Sequence, residues 1–178
     1  MDHFITTCPL NGLQHGNRFP MSQAPAHLWK HEHTLSDYQV WACYRVATHQ
    51  LNLYCPGRER DSTCRRHRAC IGQHEGLLHI LWDCAGATKA WAYIITQWTR
   101  SPVSPAQMIL YKQAALSRTK PKLPPKVRVD IEQMFPDTAD IAGRAWTRLW
   151  WIACSVCMTT LWMQRNRSVH KQESASTE

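Results

Sequence analysis

CRRHRACIGQHEGLLHILWDCAGATKAW, residues 64–91, decides how this chain folds. Cys64, Cys70, His79 and Cys84 follow one another as Cys-x5-Cys-x8-His-x4-Cys, so four sulfur or nitrogen donors fall within 21 positions. Tetrahedral zinc takes four such donors, and a site closed by protein ligands contributes its binding energy to folding. His79 and Cys84 lie on GLLHILWDC, where one short helix presents the imidazole and leaves the thiol at its C-terminal end. Leu77, Leu78, Ile80, Leu81 and Trp82 supply apolar cover for the thiolates. Glu75 is placed either to take the imidazole N–H that faces away from the metal or to sit at the helix N-terminus, where an acid is favoured. His67, two residues from both Cys64 and Cys70, and Cys55 stand as alternative donors.

Working outward, Leu35–Leu53 places Leu35, Tyr38, Trp41, Tyr44, Thr48 and Leu51 at steps of three and four, which predicts an amphipathic helix opened by Ser36 as N-cap. Residues 54–64 then carry Pro56, Gly57 and a charge cluster and read as a loop. A second helix is predicted over Ala85–Trp98, with Ala87, Trp91, Ile94, Ile95 and Trp98 on one face packing on the first. Residues 101–139 read as a basic, proline-rich linker broken by a short helix around Ala106–Leu116. A long aromatic-rich helix over 140–170 follows, with Trp146, Trp150, Cys154, Cys157, Met158 and Leu161 as its core stripe. Cys154 and Cys157 are small hydrophobes on that stripe, with no second pair to complete a metal or redox site. Residues 1–34 form a loose lead-in, in which His27, His31 and His33 belong to a solvated loop, and 171–178 a tail. The expected class is mostly α: a small helical zinc-knuckle module over 35–100, the linker and the C-terminal helix.

The 178 residues are 44% hydrophobic with nine tryptophans, which argues for a packed core. Eight cysteines also suit a disulfide framework, but the N-terminus shows no basic start followed by an apolar run. The expectation is therefore reduced thiols in an intracellular protein, nuclear or cytoplasmic. The uncharged run Leu149–Gln164 is 16 residues, short of a membrane span, so no membrane partner is expected.

The cysteine pair, Glu75, His79 and Cys84, with Trp91 after them, resembles the reverse-transcriptase zinc-binding domain found downstream of the polymerase in non-LTR retrotransposons. Trp41-Ala-Cys-Tyr-Arg45 with Leu51 is similar to the helix that precedes the knuckle there, and LWWIACSVCMTTLWMQRNRSVH, residues 149–170, to the aromatic helix that follows it. The likeness covers residues 29–100 and 145–170; it departs from the family in spacing the first two cysteines by five residues instead of two. It implies a detached, non-catalytic module that helps hold template RNA or target DNA during target-primed reverse transcription.

Charge points the same way. Lys and Arg number 21 against 13 acids, a formal net charge of +8. Arg58, Arg60, Arg65, Arg66 and Arg68 crowd the first ligands, and guanidinium forks pair with phosphate oxygens with little sequence preference. Tyr54, His67 and His74 are candidates for stacking on unpaired bases. Arg165, Arg167 and Lys171 add positive charge at the end of the last helix. Catalytic patterns are missing: no Asp-Asp pair, no P-loop, no Gly-x-Ser-x-Gly, and no His-x-Glu for a zinc deaminase. His74-Glu75 with His79 misses His-Glu-x-x-His by one residue. The alternatives are a zinc-folded protein-interaction module that docks through residues 145–165 and a retroelement remnant without selected activity.

Overall fold

A computed structural model describes residues 34–53, 63–117 and 119–170. Ser36 starts the first helix by a reciprocal cap: its hydroxyl accepts from the Gln39 amide at 3.3 Å while the Gln39 side chain accepts from the Ser36 amide at 2.9 Å. The helix that follows, α1, is Asp37–Ala47. Four more helices come after the cysteine-rich loop: α2 (Ala85–Thr99), α3 (Pro105–Ser117), α4 (Pro125–Met134) and α5 (Ala139–His170). The molecule is mostly helical, and an isolated bridge between Thr63 and His74 is the sole strand-like pairing among the described residues.

With 32 residues, α5 is about 48 Å long and serves as the spine. The first helix, α2, α4 and the turn before α2 all pack against it. Because neighbours approach from several sides, its buried surface is wider than one stripe: Trp151, Ser155, Thr159, Trp162, Arg165, Ser168 and Val169 are buried along with the predicted Trp150, Cys154, Cys157, Met158 and Leu161. Trp146 is half-buried. Burial pushes the Cys157 thiol up to about 12, so it stays protonated as a core residue. No helix among the described residues is long and apolar enough to cross a membrane.

Three expectations need correction. In α1 the inward face is Val40, Ala42, Cys43 and Val46, small side chains that let the helix approach α5, while Tyr38 and Trp41 face solvent. Those two rings stack at 5.5 Å and Arg45 lies over Trp41 at 5.3 Å, so the aromatic row forms an outward ladder. The α2 face, Ala87, Trp91, Ile95 and Trp98, packs chiefly on α5 and on the preceding turn instead of on α1. The stretch read as a linker contains α4, which starts with Pro125 at its first turn and buries Val127 and Ile131 against α5. Proline at the first helical position forfeits no hydrogen bond, so Pro124-Pro125 opens a helix here. The helix around 106–116 is α3, whose Ala114 and Ala115 are buried.

One core therefore runs from Val46 and Leu51 through the cysteine loop to Trp162. Its far end is aromatic, with Trp98, Tyr111, Trp146 and Trp150 at centroid separations of 5.4–5.6 Å. At the cysteine-rich end, α5 is tied down by charge. Arg165 Nε donates to Glu75 Oε2 at 3.1 Å, with 2% and 3% of the two side chains exposed. Its Nη2 donates to the Leu53 carbonyl at 2.7 Å, and its guanidinium lies 5.4 Å from the Trp162 ring. Removing one partner of such a pair leaves an uncompensated buried charge, whereas replacing both does not. Arg165→Met is accordingly expected to cost about 3–5 kcal/mol in urea unfolding, and adding Glu75→Leu to restore most of it; a double variant no more stable than the single one would contradict this role.

Candidate metal centre

The cysteine loop is closed by backbone. Beside the Thr63–His74 bridge, the Cys64 amide donates to the Gln73 carbonyl at 2.9 Å. Inside the loop, His67 Nδ1 accepts from the Ala69 amide at 3.2 Å and caps a single 3-10 turn, Arg68–Cys70. The chain then reverses through Cys70-Ile71-Gly72-Gln73. Ile71 has φ −56° and ψ 128°, Gly72 has φ +79°, and the Gln73 amide donates to the Cys70 carbonyl at 3.0 Å, which is a type II turn. A positive φ at its third position is the reason for glycine. The 3-10 turn places Arg68 and Ala69 between the two cysteines.

His79 and Cys84 are delivered by a different device. The chain over His79–Asp83 is a π turn, in which the Cys84 amide reaches back five residues to the His79 carbonyl at 2.8 Å. Cys84 is then extended, with ψ 137°, and its carbonyl accepts from Thr88 at 2.8 Å to begin α2. The turn ends so abruptly that side chains satisfy its last carbonyls. Ile80 O accepts from the Arg66 guanidinium, Leu81 O from the Trp91 indole at 2.6 Å, and Trp82 O from the Thr88 hydroxyl at 3.1 Å. Trp91 also stacks on Trp82 at 4.3 Å, and a second Arg66 nitrogen reaches the Leu161 carbonyl of α5 at 3.3 Å.

These two devices bring Cys64, Cys70, His79 and Cys84 together, with one candidate ligand atom from each within 4.8 Å of the others. Cys84 Sγ stands 4.0 Å from Cys64 Sγ and 3.7 Å from Cys70 Sγ, and all three thiols are free and buried. Nε2 of His79 is buried without a hydrogen-bond partner. Three buried thiols beside a half-buried imidazole are a donor set that could hold a metal ion. Its hydrogen bond with Cys64 lowers the Cys84 thiol to about 6, helped by the charge of Arg66 and the amides of Gly86 and Ala87. The same bond, seconded by burial, raises Cys64 to about 12.

Other residues fall differently from expectation. Arg66 is buried, 5% exposed, because its guanidinium is needed inside by Ile80 and Leu161; it does not belong to an outer rim. Arg65 and Arg68 are exposed, and Arg58, Arg60, Tyr54 and Cys55 lie outside the described residues. Glu75 pairs with Arg165, a partner not foreseen for it, and Arg165 is correspondingly not an exposed charge. His67 is committed to its backbone cap, and His74 is exposed. In the apolar cover, Ile80, Leu81 and Trp82 are buried, Leu77 is half-buried and Leu78 is exposed. Arg66 and the Glu75–Arg165 pair are the components that residue type alone concealed, because each sits among exposed polar neighbours in sequence.

No protein-family model matches the chain, and neither does any curated protein or solved structure. Fold and site therefore define it on their own: a mostly helical domain with a Cys3His cluster, its cysteines buried and its histidine half-buried, at the junction of its loop, its π turn and α2. Cys84→Ser is expected to abolish stoichiometric metal uptake and to melt residues 64–98, seen as lost helical circular dichroism; an unchanged melt would show that the cluster holds nothing.

Proposed function

We propose that this is a non-catalytic zinc-binding module, related to the zinc-binding region of retrotransposon reverse transcriptases, that contributes RNA or DNA binding of low sequence specificity through exposed arginines. The observation that carries the metal reading is the four-donor cluster. Two thiolates at about 2.3 Å from one tetrahedral zinc stand about 3.8 Å apart, and the sulfur separations of 3.7 and 4.0 Å bracket that value. Three thiolates outweigh a divalent ion by one negative charge, and the buried Arg66 guanidinium supplies the balancing positive charge beside Cys84. Four protein ligands leave no open position for a reacting water, which supports a structural instead of a catalytic role.

Nucleic-acid binding is supported by Arg65 and Arg68, both exposed on the loop that carries Cys64 and Cys70. Held on a metal-fixed loop, they meet phosphates without the backbone first having to be ordered. A specific observation favours a second reading, a protein-interaction module that docks through α5. Leu149, Val156 and Met163 are exposed at seven-residue intervals along it, a row at coiled-coil spacing.

Under the first reading, affinity for a single strand falls steeply between low and physiological salt. Arg65→Gln and Arg68→Gln each reduce the slope of log K against log salt by about 0.7, and Arg68→Gln does so without lowering the melting temperature. Arg66→Gln instead lowers the melting temperature. A flat salt response would contradict the reading.

A further inference from the structure

At the end of α2 remote from the cysteines lies a cleft of about 610 Å³, lined by Thr96, Gln97, Arg100, Ser101, Pro102, Lys126 and Trp146. Its two charged residues are both cations, and no acid lines it. Asp130 lies 3.5 Å from Arg100 Nε, on the inner part of the guanidinium, which leaves the two terminal nitrogens for another partner. Lys126 is exposed, on the first turn of α4. Trp146 is half-buried: Trp98 stacks on it at 5.6 Å, and part of the residue lines the cleft. Gln97, Thr96 and Ser101 add amide and hydroxyl groups that can donate or accept along the same wall.

Arg100 occupies this place at a cost. It ends α2 in the left-handed conformation, with φ +53°, where glycine fits without steric penalty. An arginine at a position that suits glycine points to work for its side chain. The combination of an aromatic residue, two cations with no acid in the cleft wall and neutral hydrogen-bonding groups matches one ligand chemistry: a flat heterocycle carrying phosphate.

We propose that this cleft binds a nucleotide unit, with its base against Trp146 and its phosphate between Arg100 and Lys126. Resting on the nucleic-acid reading above, the inference makes the cleft a second contact for a bound single strand. The α2 helix, 15 residues and about 22 Å long, separates it from the cysteine cluster. The same chemistry also describes a free nucleotide, so two probes are needed.

Fluorescence anisotropy of a short labelled DNA single strand, and a titration with AMP, compare the full chain with the double variant Arg100→Gly, Lys126→Gln. Both positions are exposed, and glycine relieves the backbone at 100, so the variant's melting temperature is expected to match or exceed that of the parent. Arg128→Gln, exposed on α4 outside the cleft, controls for loss of charge alone. The proposal expects strand affinity to fall at least about fivefold, with a salt slope lower by about 1.4 for two lost phosphate contacts, and Arg128→Gln to have a much smaller effect. If the parent binds strand and the double variant binds it equally, or Arg128→Gln weakens binding as much per charge removed, the cleft proposal is overturned while the arginine-loop reading stands. If no strand binds the parent, that reading fails. AMP binding lost in the double variant would then support the cleft as a free-nucleotide site, and absence of AMP binding would overturn it.

Discussion

The backbone at Cys84 meets two demands at once. Its amide closes the π turn on His79, and its carbonyl accepts from Thr88 to start α2. The thiol between these bonds has little freedom left, and it is the sulfur that lies within 4.0 Å of both other cysteines. Everything that makes the cluster a candidate metal centre depends on this junction being rigid. A π turn is unfavourable in isolation, and here three side-chain donors from Arg66, Thr88 and Trp91 satisfy the carbonyls it leaves. An ion bound across the cluster would fix the same junction from the other side.

Two buried arginines connect the centre to the rest of the molecule. Arg66 links the cysteine loop to the π turn and to α5, and Arg165 links α5 to Glu75 and Leu53. Hydrophobic contacts could hold α5 in several registers, but guanidinium bonds to particular carbonyls and one carboxylate select a single one. The long helix is thereby tied to the cysteine cluster, and its far end brings Trp146 to the cleft beside Arg100. The strength of this arrangement is specificity, since a buried pair adds little net stability over an apolar replacement.

How much of this was readable in the sequence depended on distance along the chain. The four donors, the Ser36 cap, α2 and α5 are local patterns, and spacing alone located them. The inward face of α1 was misjudged because Tyr38, Trp41 and Tyr44 are the larger apolar side chains, whereas close packing on α5 selects the small Ala42 and Cys43. In α4, Val127 and Ile131 stand four residues apart on one face, a signal masked by the prolines before them. Arg66 differs from Arg65 and Arg68 only through a carbonyl 95 residues away and another on the π turn. No local rule separates the three. The partner of Glu75 likewise lies 90 residues downstream, beyond the reach of any spacing argument.

The central claim is that a metal ion organises the Cys64–Cys84 segment. Native mass spectrometry of the purified chain, before and after a strong chelator and read together with circular dichroism, tests it most directly. The account predicts one zinc ion per chain, removed by the chelator together with part of the helical signal. A metal-free chain whose helicity the chelator leaves unchanged would contradict it.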